Sequence, residues 1–547
     1  MYSLVMEKVC KQCCEKFDVT EDDLKFLENL SPVIDGEKFL LLEPGRCFEC
    51  RWKRKMMWRN FNKFYKRKSN LSGKEFISIF SPDKSYKVYK IDEWWGNEWS
   101  PLDYGRDFDS SKLFFEQLKE LYDAVPRPGM FVSGSENCDY TNATYFSKDC
   151  YLVAGCIENE SCSYGHILWY SKNCLDMVYS YYCEECYECI DSEHCYELFY
   201  GRECLNCSSS YYLFDCKGCR SCFGCVSLAN KEFYIFNKPY SKEEYAKKIA
   251  ELLKPENKEM VRKMFKELYS SVPKRALYSR NSENVLGNHI FNSKNVYYSF
   301  DVINSEDLRY CFTAGKMKNC MDCIHHGAGL ELGYETLASA GYNLLFCRDG
   351  SGMASNNLIY CNECNGVNDC FGCVGLHSKE QYCILNKQYS ESEYKVLVKK
   401  IIEHMKKTEE FGEFFPESDS PFCYNETTAH DFYPMTKEAA VKKGYKWFDE
   451  VDDPNFIKKS GEDIVTCEVT GKQFRVISKE VEFLKRHSLS VPTKSPDVRH
   501  KERMAIRNPR KLWDRKCAKC DKDMKTAYAP EKPEIVYCEE CYLKEVY

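Results

Sequence analysis

Eight cysteines form two sets of paired CxxC turns: Cys10, Cys13, Cys47 and Cys50 near one end, and Cys517, Cys520, Cys538 and Cys541 near the other. A CxxC turn carries two sulfurs on one loop. Two such turns that meet offer four thiolates to a tetrahedral cation, the chemistry of structural zinc. The spacing predicts about two Zn2+ per chain, one at each set. Cys14, just past the first turn, lies outside the pattern.

The chain repeats itself, and the copies separate ligands from filler. YKRKSNLSGKEFISIFSPDKSYKVY (65–89) aligns without a gap on WDRKCAKCDKDMKTAYAPEKPEIVY (513–537), and CKQCCEKFDV (10–19) resembles CEVTGKQFRV (467–476). Against Cys517, Cys520, Cys538 and Cys541 stand Ser69, Ser72, Lys90 and Glu93; against Cys10, Cys13, Cys47 and Cys50 stand Cys467, Thr470, Ser495 and Val498. Each end keeps one complete set and has lost the other. That is how a four-ligand site decays, because three thiolates leave zinc incompletely held.

The interior cysteines follow another rule. CFGCVSLANKEFYIFNKPYSKEEY (222–245) returns as CFGCVGLHSKEQYCILNKQYSESEY (370–394), and LKELYDAVP (118–126) as FKELYSSVP (265–273). Between these copies Cys138, Cys150, Cys156 and Cys162 become Val285, Val296, Val302 and Leu308, and Cys219 becomes Val367. Cysteine that trades with valine or leucine is a small apolar side chain in a core. Cys138, Cys150, Cys162, Cys174 and Cys186 recur every twelve residues, each after Asn, Asp, Ser or Glu. This beat predicts coils of a β-solenoid, with Cys and Tyr stacked in columns about 4.8 Å apart and the polar residue at the turn. Two alternatives stay open. A string of zinc knuckles could run through the bodies, or an iron–sulfur cluster could sit in Cys216, Cys219, Cys222 and Cys225, whose spacing approaches a ferredoxin run. CMDCIHHGAG supplies a third candidate metal set, Cys320, Cys323, His325 and His326, against packing and turn roles.

Charge is polarised. RWKRKMMWRNFNKFYKRK (51–68) holds nine Lys or Arg and no acid, and RHKERMAIRNPRKLWDRK (499–516) holds eight with Glu502 and Asp514. Their +9 and +6, within a chain of −6, leave −21 on the remainder. Basic residues interleaved with aromatics suit phosphate backbones and exposed bases. The expected nucleic-acid contacts are Arg51, Lys53, Arg54, Lys55, Trp58, Arg59, Asn60, Lys63, Arg67 and Lys68 in one module, and Arg499, Arg503, Arg507, Asn508, Arg510, Lys511, Trp513 and Arg515 in the other. Docking of these faces on the acidic bodies, or a plain solvated face, are the competing readings.

Catalytic patterns are thin. There is no phosphate-binding glycine loop, no GxSxG and no HExxH among the ten histidines. The 35 cysteines, an opening MYSLVMEK without a leader pattern, and the lack of a long apolar run place the expectation in a reducing cytoplasm, without membrane or small-molecule substrate.

The expected fold is mainly β with helices: two tandem Cys/Tyr-rich β-solenoid-like bodies flanked by treble-clef or zinc-ribbon-like modules. The boundaries run 1-99 (N-terminal zinc module with degenerate ribbon), 100-254 (helix, first body, capping helix), 255-406 (second body), 407-457 (linker) and 458-547 (degenerate knuckle with C-terminal ribbon). The expected function is non-enzymatic: nucleic-acid binding, RNA slightly before DNA, through the modules with the bodies as spacer. A protein-assembly scaffold and a thiol-based metal or redox protein are the alternatives.

CKQCCEKFDVTEDDLKFLENLSP, WRNFNKFYKRK, PLDYGRDFD, CFGCVGL with YCILNKQYS, and NPRKLWDRKCAKCDKDMKTAYAPEKPEIVYCEECY together resemble a cysteine-rich zinc-ribbon family of candidate-phyla (Parcubacteria-like) bacteria, over nearly the whole chain. The resemblance implies a bacterial, cytoplasmic protein with terminal zinc ribbons and implies no activity. That family usually has Gly where Cys14 stands, which leaves the ligands untouched.

Overall fold

The computed structural model describes residues 4–167, 171–177, 210–326, 329–350, 355–377, 379–449, 463–486 and 490–546. It combines many short strands, one large sheet and helices, in two units that cut across the order of the chain. One unit takes Met1–Phe131 with Tyr278–Phe448; the other takes Val132–Leu277 with Asp449–Tyr547. The N-terminal module thus belongs with the second body, and the C-terminal module with the first.

In the first unit a thirteen-stranded sheet runs from Ser279–Arg280 to Lys387–Gln388. Its pairing is parallel until the closing antiparallel hairpin, and rungs step by about a dozen residues: Lys294↔Glu306, Glu306↔Lys318, Phe300↔Phe312 and Phe312↔Ile324. The strand Lys294–Ile303 bends. Its first half pairs with Glu306–Arg309 and its second with Phe312–Gly315. Residues at Asn284, Asn295, Asn304 and Asp307 have positive φ, which Asn and Asp tolerate better than most, so the polar residues sit where the chain turns. Buried Val296, Val302, Leu308, Cys311, Cys320 and Cys323 fill one core.

Around this sheet lie the elements of the module. The hairpin Leu4–Val9 with Lys16–Thr20 leads into helix Glu21–Leu30, started by a capping box between Thr20 and Asp23. Helix Phe48–Met56 begins at Cys47. A second hairpin, Tyr65–Lys68 with Glu75–Ser78, precedes Val88–Tyr89, which pairs in parallel with Arg127–Pro128 after helix Phe114–Ala124.

Of the stretch expected to be a linker, 407–449 is packed, and 450–457 lie outside the described residues. Phe414, Phe415, Tyr424 and Ala429 are buried, Thr428 Oγ1 donates to the carbonyl of Met56 at 3.1 Å, and helices Thr428–Phe432 and Lys437–Lys442 form. Its Pro and acidic residues suggested solvent. Its five aromatics between 411 and 424 decide otherwise, because burying aromatic area outweighs local composition.

In the second unit, bridges join residues twelve apart in three parallel series: Glu136, Lys148, Glu160 and Lys172; Asp139, Tyr151, Ser163 and Leu175; and Asn142, Ala154 and His166. Inward from them lie Cys150, Val153, Cys156, Cys162 and Cys174, and later Leu213, Cys216, Cys219, Cys222 and Cys225. Cys186 and its neighbours lie outside the described residues. The ribbon hairpin Trp513–Lys516 with Asp523–Thr526 precedes Val536–Tyr537, which pairs in parallel with Lys274–Arg275 after helix Lys258–Ser271. This mirrors the arrangement of Val88–Tyr89 and Arg127–Pro128.

Candidate metal centres

Cys10 and Cys13 sit on the turn that closes the first hairpin, while Cys47 caps helix Phe48–Met56 and Cys50 lies in its first turn. Their four Sγ atoms lie within 4.8 Å of one another, with Cys13 and Cys47 at 3.7 Å. A tetrahedron with Zn–S near 2.3 Å has S···S edges of about 3.8 Å, so the quartet fits the ion. The backbone N–H of Gln12 (3.4 Å) and of Cys47 (3.3 Å) donate to Cys10 Sγ. Burial raises the Cys10 thiol, but these amides and that of Cys13 bring it below its ordinary value. The hydrogen bond with Cys50 pulls Cys47 down to about 5. Thiolate is the ligand form.

The C-terminal quartet repeats this. Cys517 and Cys520 lie on the ribbon turn, and Cys538 and Cys541 at the start of helix Glu539–Val546. Their Sγ atoms also lie within 4.8 Å, with Cys520 and Cys538 at 3.8 Å, and the Cys538 N–H donates to Cys517 at 3.2 Å. Against burial, the amides of Cys538, Lys519 and Cys520 lower Cys517 to about 6. Cys10, Cys47 and Cys50 are buried, whereas Cys520 is exposed.

The lapsed sites are equally informative. Ser69 and Ser72 both donate short hydrogen bonds to Glu93, and the Lys90 N–H reaches the same carboxylate at 3.3 Å. Three of the four side chains still meet, with the Glu93 carboxylate holding Ser69 and Ser72, while Lys90 gives only its N–H and turns its ammonium to Asp92 at 3.1 Å. Burial raises Glu93, but the two hydroxyls and the amide leave it below the usual range. At the other lapsed site Cys467 keeps an amide donor, Ser495 N–H at 3.4 Å. It titrates at about 6: burial raises it, while the Thr470 hydroxyl and the backbone amides lower it further.

The structure does not gather the third metal candidate. Cys320 and Cys323 point into the core and donate to carbonyls: Cys320 to Lys318 (3.1 Å) and Leu330 (3.5 Å), Cys323 to Met321 (3.3 Å). His326 is bonded to Ser339 O and Thr336 Oγ1, and His325 packs on Phe61 and Phe312. Cys216, Cys219, Cys222 and Cys225 likewise donate to backbone carbonyls two behind and nine ahead of each. Cys222 lies within reach of the Cys219 and Cys225 thiols, but these side chains spend their protons on carbonyls and the four sulfurs do not gather around one point. Among the described residues only the two terminal quartets group as metal ligands.

The basic faces are also placed differently from the nucleic-acid expectation. Arg51 pairs with Asp322 at 2.8 Å, Arg54 with Glu413 at 2.7 Å and Glu335 at 3.4 Å, Lys55 with Glu335, and Arg59 with Asp349 at 2.7 Å. Asp322, Glu335 and Asp349 occupy successive turns of the sheet, all with positive φ. Trp58 is buried beside Arg348 and Phe415. Asn60 donates to the carbonyls of Lys63 and Ile79, and Lys53 lies over Tyr424 and Tyr445. Lys63 is half-buried and Lys68 exposed. Arg67 donates to the carbonyls of Ser81 and Tyr86.

The C-terminal face matches. Arg499 pairs with Asp176 (2.7 Å) and Glu480 (2.8 Å), and Arg503 with Asp176 (3.0 Å). Arg515 donates to the carbonyls of Ala529 and Glu534, and Asn508 accepts from Lys532. Arg507, Arg510 and Trp513 are half-buried, and Lys511 is exposed. Docking on the acidic bodies, the competing reading, is therefore what Arg51, Arg54, Lys55, Arg59, Arg499 and Arg503 do. Their partners are Asp322, Glu335, Asp349 and Asp176 of the bodies, joined by Glu413 and Glu480 from outside them.

Among the described residues no helix is long and apolar enough to cross a membrane. Comparison with family models, curated proteins and solved structures returns no match.

Proposed function

We propose that this chain is a non-enzymatic zinc scaffold. Each cysteine quartet holds one Zn2+ and fixes the start of a module whose basic helix clamps onto an acidic column, and the twelve-residue ladders close into solenoid-like walls. The supporting observation is the pair of Sγ quartets, each gathered within 4.8 Å and each with one edge, 3.7 or 3.8 Å, near that of a zinc–thiolate tetrahedron. The zinc would supply folding energy and cross-link two loops. Cys10, Cys13, Cys47 and Cys50 would hold one ion, and Cys517, Cys520, Cys538 and Cys541 the other. Membership of the candidate-phyla zinc-ribbon family and a cytoplasmic setting belong to the same proposal. Metal analysis tests it: about two zinc and no iron per purified chain are expected.

A second reading keeps nucleic acid as partner through residues off the clamped helices. The ribbon strands alternate half-buried and exposed positions, turning Lys66, Lys68 and Lys516 outward. Binding of a mixed oligonucleotide pool that weakens steeply with salt, and is lost in Lys66→Glu/Lys68→Glu/Lys516→Glu, would favour this reading over protein assembly.

A further inference from the structure

Two aromatic contacts occupy equivalent places in the two units. Helix Phe48–Met56 and helix Pro496–Ile506 align so that Arg51 matches Arg499 and Trp52 matches His500. The bodies align so that Asp322 matches Asp176 and Phe312 matches His166. The ion pairs Arg51–Asp322 and Arg499–Asp176 verify the register. Beside the first, Trp52 packs edge-on against Phe312 with centroids 5.1 Å apart. Beside the second, His500 stacks on His166 with centroids 3.9 Å apart. An apolar aromatic lock in one unit is thus a pair of imidazoles in the other.

The surroundings of the imidazoles disfavour charge. His500 is 8% exposed and both of its ring nitrogens lack a hydrogen-bond partner. Lys501 and Arg503 flank it on its own helix, and Arg499 lies one residue before it. The nearby acids are already engaged: Asp176 by Arg499 and Arg503, and Glu480, on helix Ser478–Arg486, by Arg499. Asp497 is exposed in the first turn of the helix. A proton on His500 would meet desolvation and cations, one on the half-buried His166 would face the same cations, and a second proton would set two like charges about 4 Å apart. We infer that the His166–His500 stack is an acid-sensitive latch, which holds helix Pro496–Ile506 on the first body while both rings are neutral and releases it when they are protonated.

The sign follows from linkage. Burial, and then the cationic Arg503, hold His166 down at about 4, and burial with His166 and Arg503 holds His500 well below its ordinary value. The unfolded rings titrate near 6.5, so the stabilisation is complete above about pH 6.5 and is lost as pH falls toward about 4.

Hydrogen exchange by mass spectrometry on the full zinc-loaded chain tests this, with exchange rates corrected for the intrinsic effect of pH. Between about pH 7 and about pH 5, protection of peptides spanning 496–506 should fall tenfold or more, while peptides spanning 48–56, carrying Trp52, should lose none. In His166→Phe/His500→Trp, which copies the other unit, the fall at 496–506 should disappear. An equal fall in both helices, or one that persists in the double variant, overturns the latch. Should the double variant fail to fold, His166→Phe alone and titration of the ring C–H signals by NMR decide. Two imidazoles neutral to below about pH 5 are expected, and ordinary titration near 6.5 refutes the inference.

Discussion

Ser69 donates its hydroxyl to Glu93 in the N-terminal ribbon, where the aligned Cys517 and Cys541 of the C-terminal ribbon bring two sulfurs together. One backbone frame has two ways to tie its loops: a cation among four thiolates, or a carboxylate between two hydroxyls and an amide. Restoring the ligands should restore the ion. Ser69→Cys/Ser72→Cys/Lys90→Cys/Glu93→Cys is expected to raise the zinc count by about one per chain, and Glu93→Ala alone to cost about 1 kcal/mol through the buried Ser69 hydroxyl left unsatisfied, read from chemical denaturation.

The clamp of helix Phe48–Met56 depends on buried opposite charges. Asp322→Asn leaves Arg51 without its 2.8 Å partner in a site where both side chains are almost fully buried. Loss of about 1.5–3 kcal/mol is expected, because Arg51 loses its short charged hydrogen bond and keeps only Glu335 at 3.6 Å as a counter-charge. Arg51→Met/Asp322→Leu should recover most of it. A single and a double variant of equal stability would show that the pair is not what holds the helix.

Glu363 gives the first unit a pH dependence of its own. Its carboxyl is buried, and burial pushes it up to about 7 against the pull of Arg348 and Arg127. A carboxyl raised in the folded state contributes stability below about pH 4.5, and that contribution is lost as pH rises through about 7. Glu363→Gln should therefore gain stability relative to the parent between about pH 5 and pH 8, by at most about 3 kcal/mol. A difference that does not vary with pH would place the charge elsewhere.

Thiol reactivity should divide the cysteines by place. Cys162 and Cys364 are raised well above the ordinary range, chiefly by burial. Cys14 is exposed and outside either quartet. Alkylation of the folded, zinc-loaded chain mapped by mass spectrometry should mark Cys14 and spare Cys150, Cys156, Cys162, Cys216, Cys219, Cys222 and Cys225. Adding a chelator should then open Cys520 before Cys10 or Cys50, because Cys520 is exposed and the other two are buried.

Much of this was legible from the chain. Comparing Ser69, Ser72, Lys90 and Glu93 with Cys517, Cys520, Cys538 and Cys541 picked out the cysteines whose sulfurs meet in space, because ligand loss is collective. The twelve-residue spacing of Cys138, Cys150, Cys162 and Cys174 reappears as parallel rungs at that interval. The exchange of Cys150 for Val296 marked a core position, and both are buried. What escaped was partnership at long range. Arg51 and Asp322 are far apart in sequence, and a basic run reads the same whether phosphate or a column of acids neutralises it. The pairing of each terminal module with the body remoter in sequence also leaves no local signal. The linker reading failed because five aromatics were weighed less than proline and charge.

The central claim is that eight terminal thiolates grip two cations while the inner thiols are packing. Native mass spectrometry of the intact chain, with X-ray absorption at the zinc edge, tests it most directly. The account predicts about two zinc ions, each with four sulfur neighbours near 2.3 Å, and one ion lost in each of Cys13→Ser and Cys520→Ser. Four or more metals per chain, or sulfur-ligated iron, or two ions retained in both variants, would contradict it.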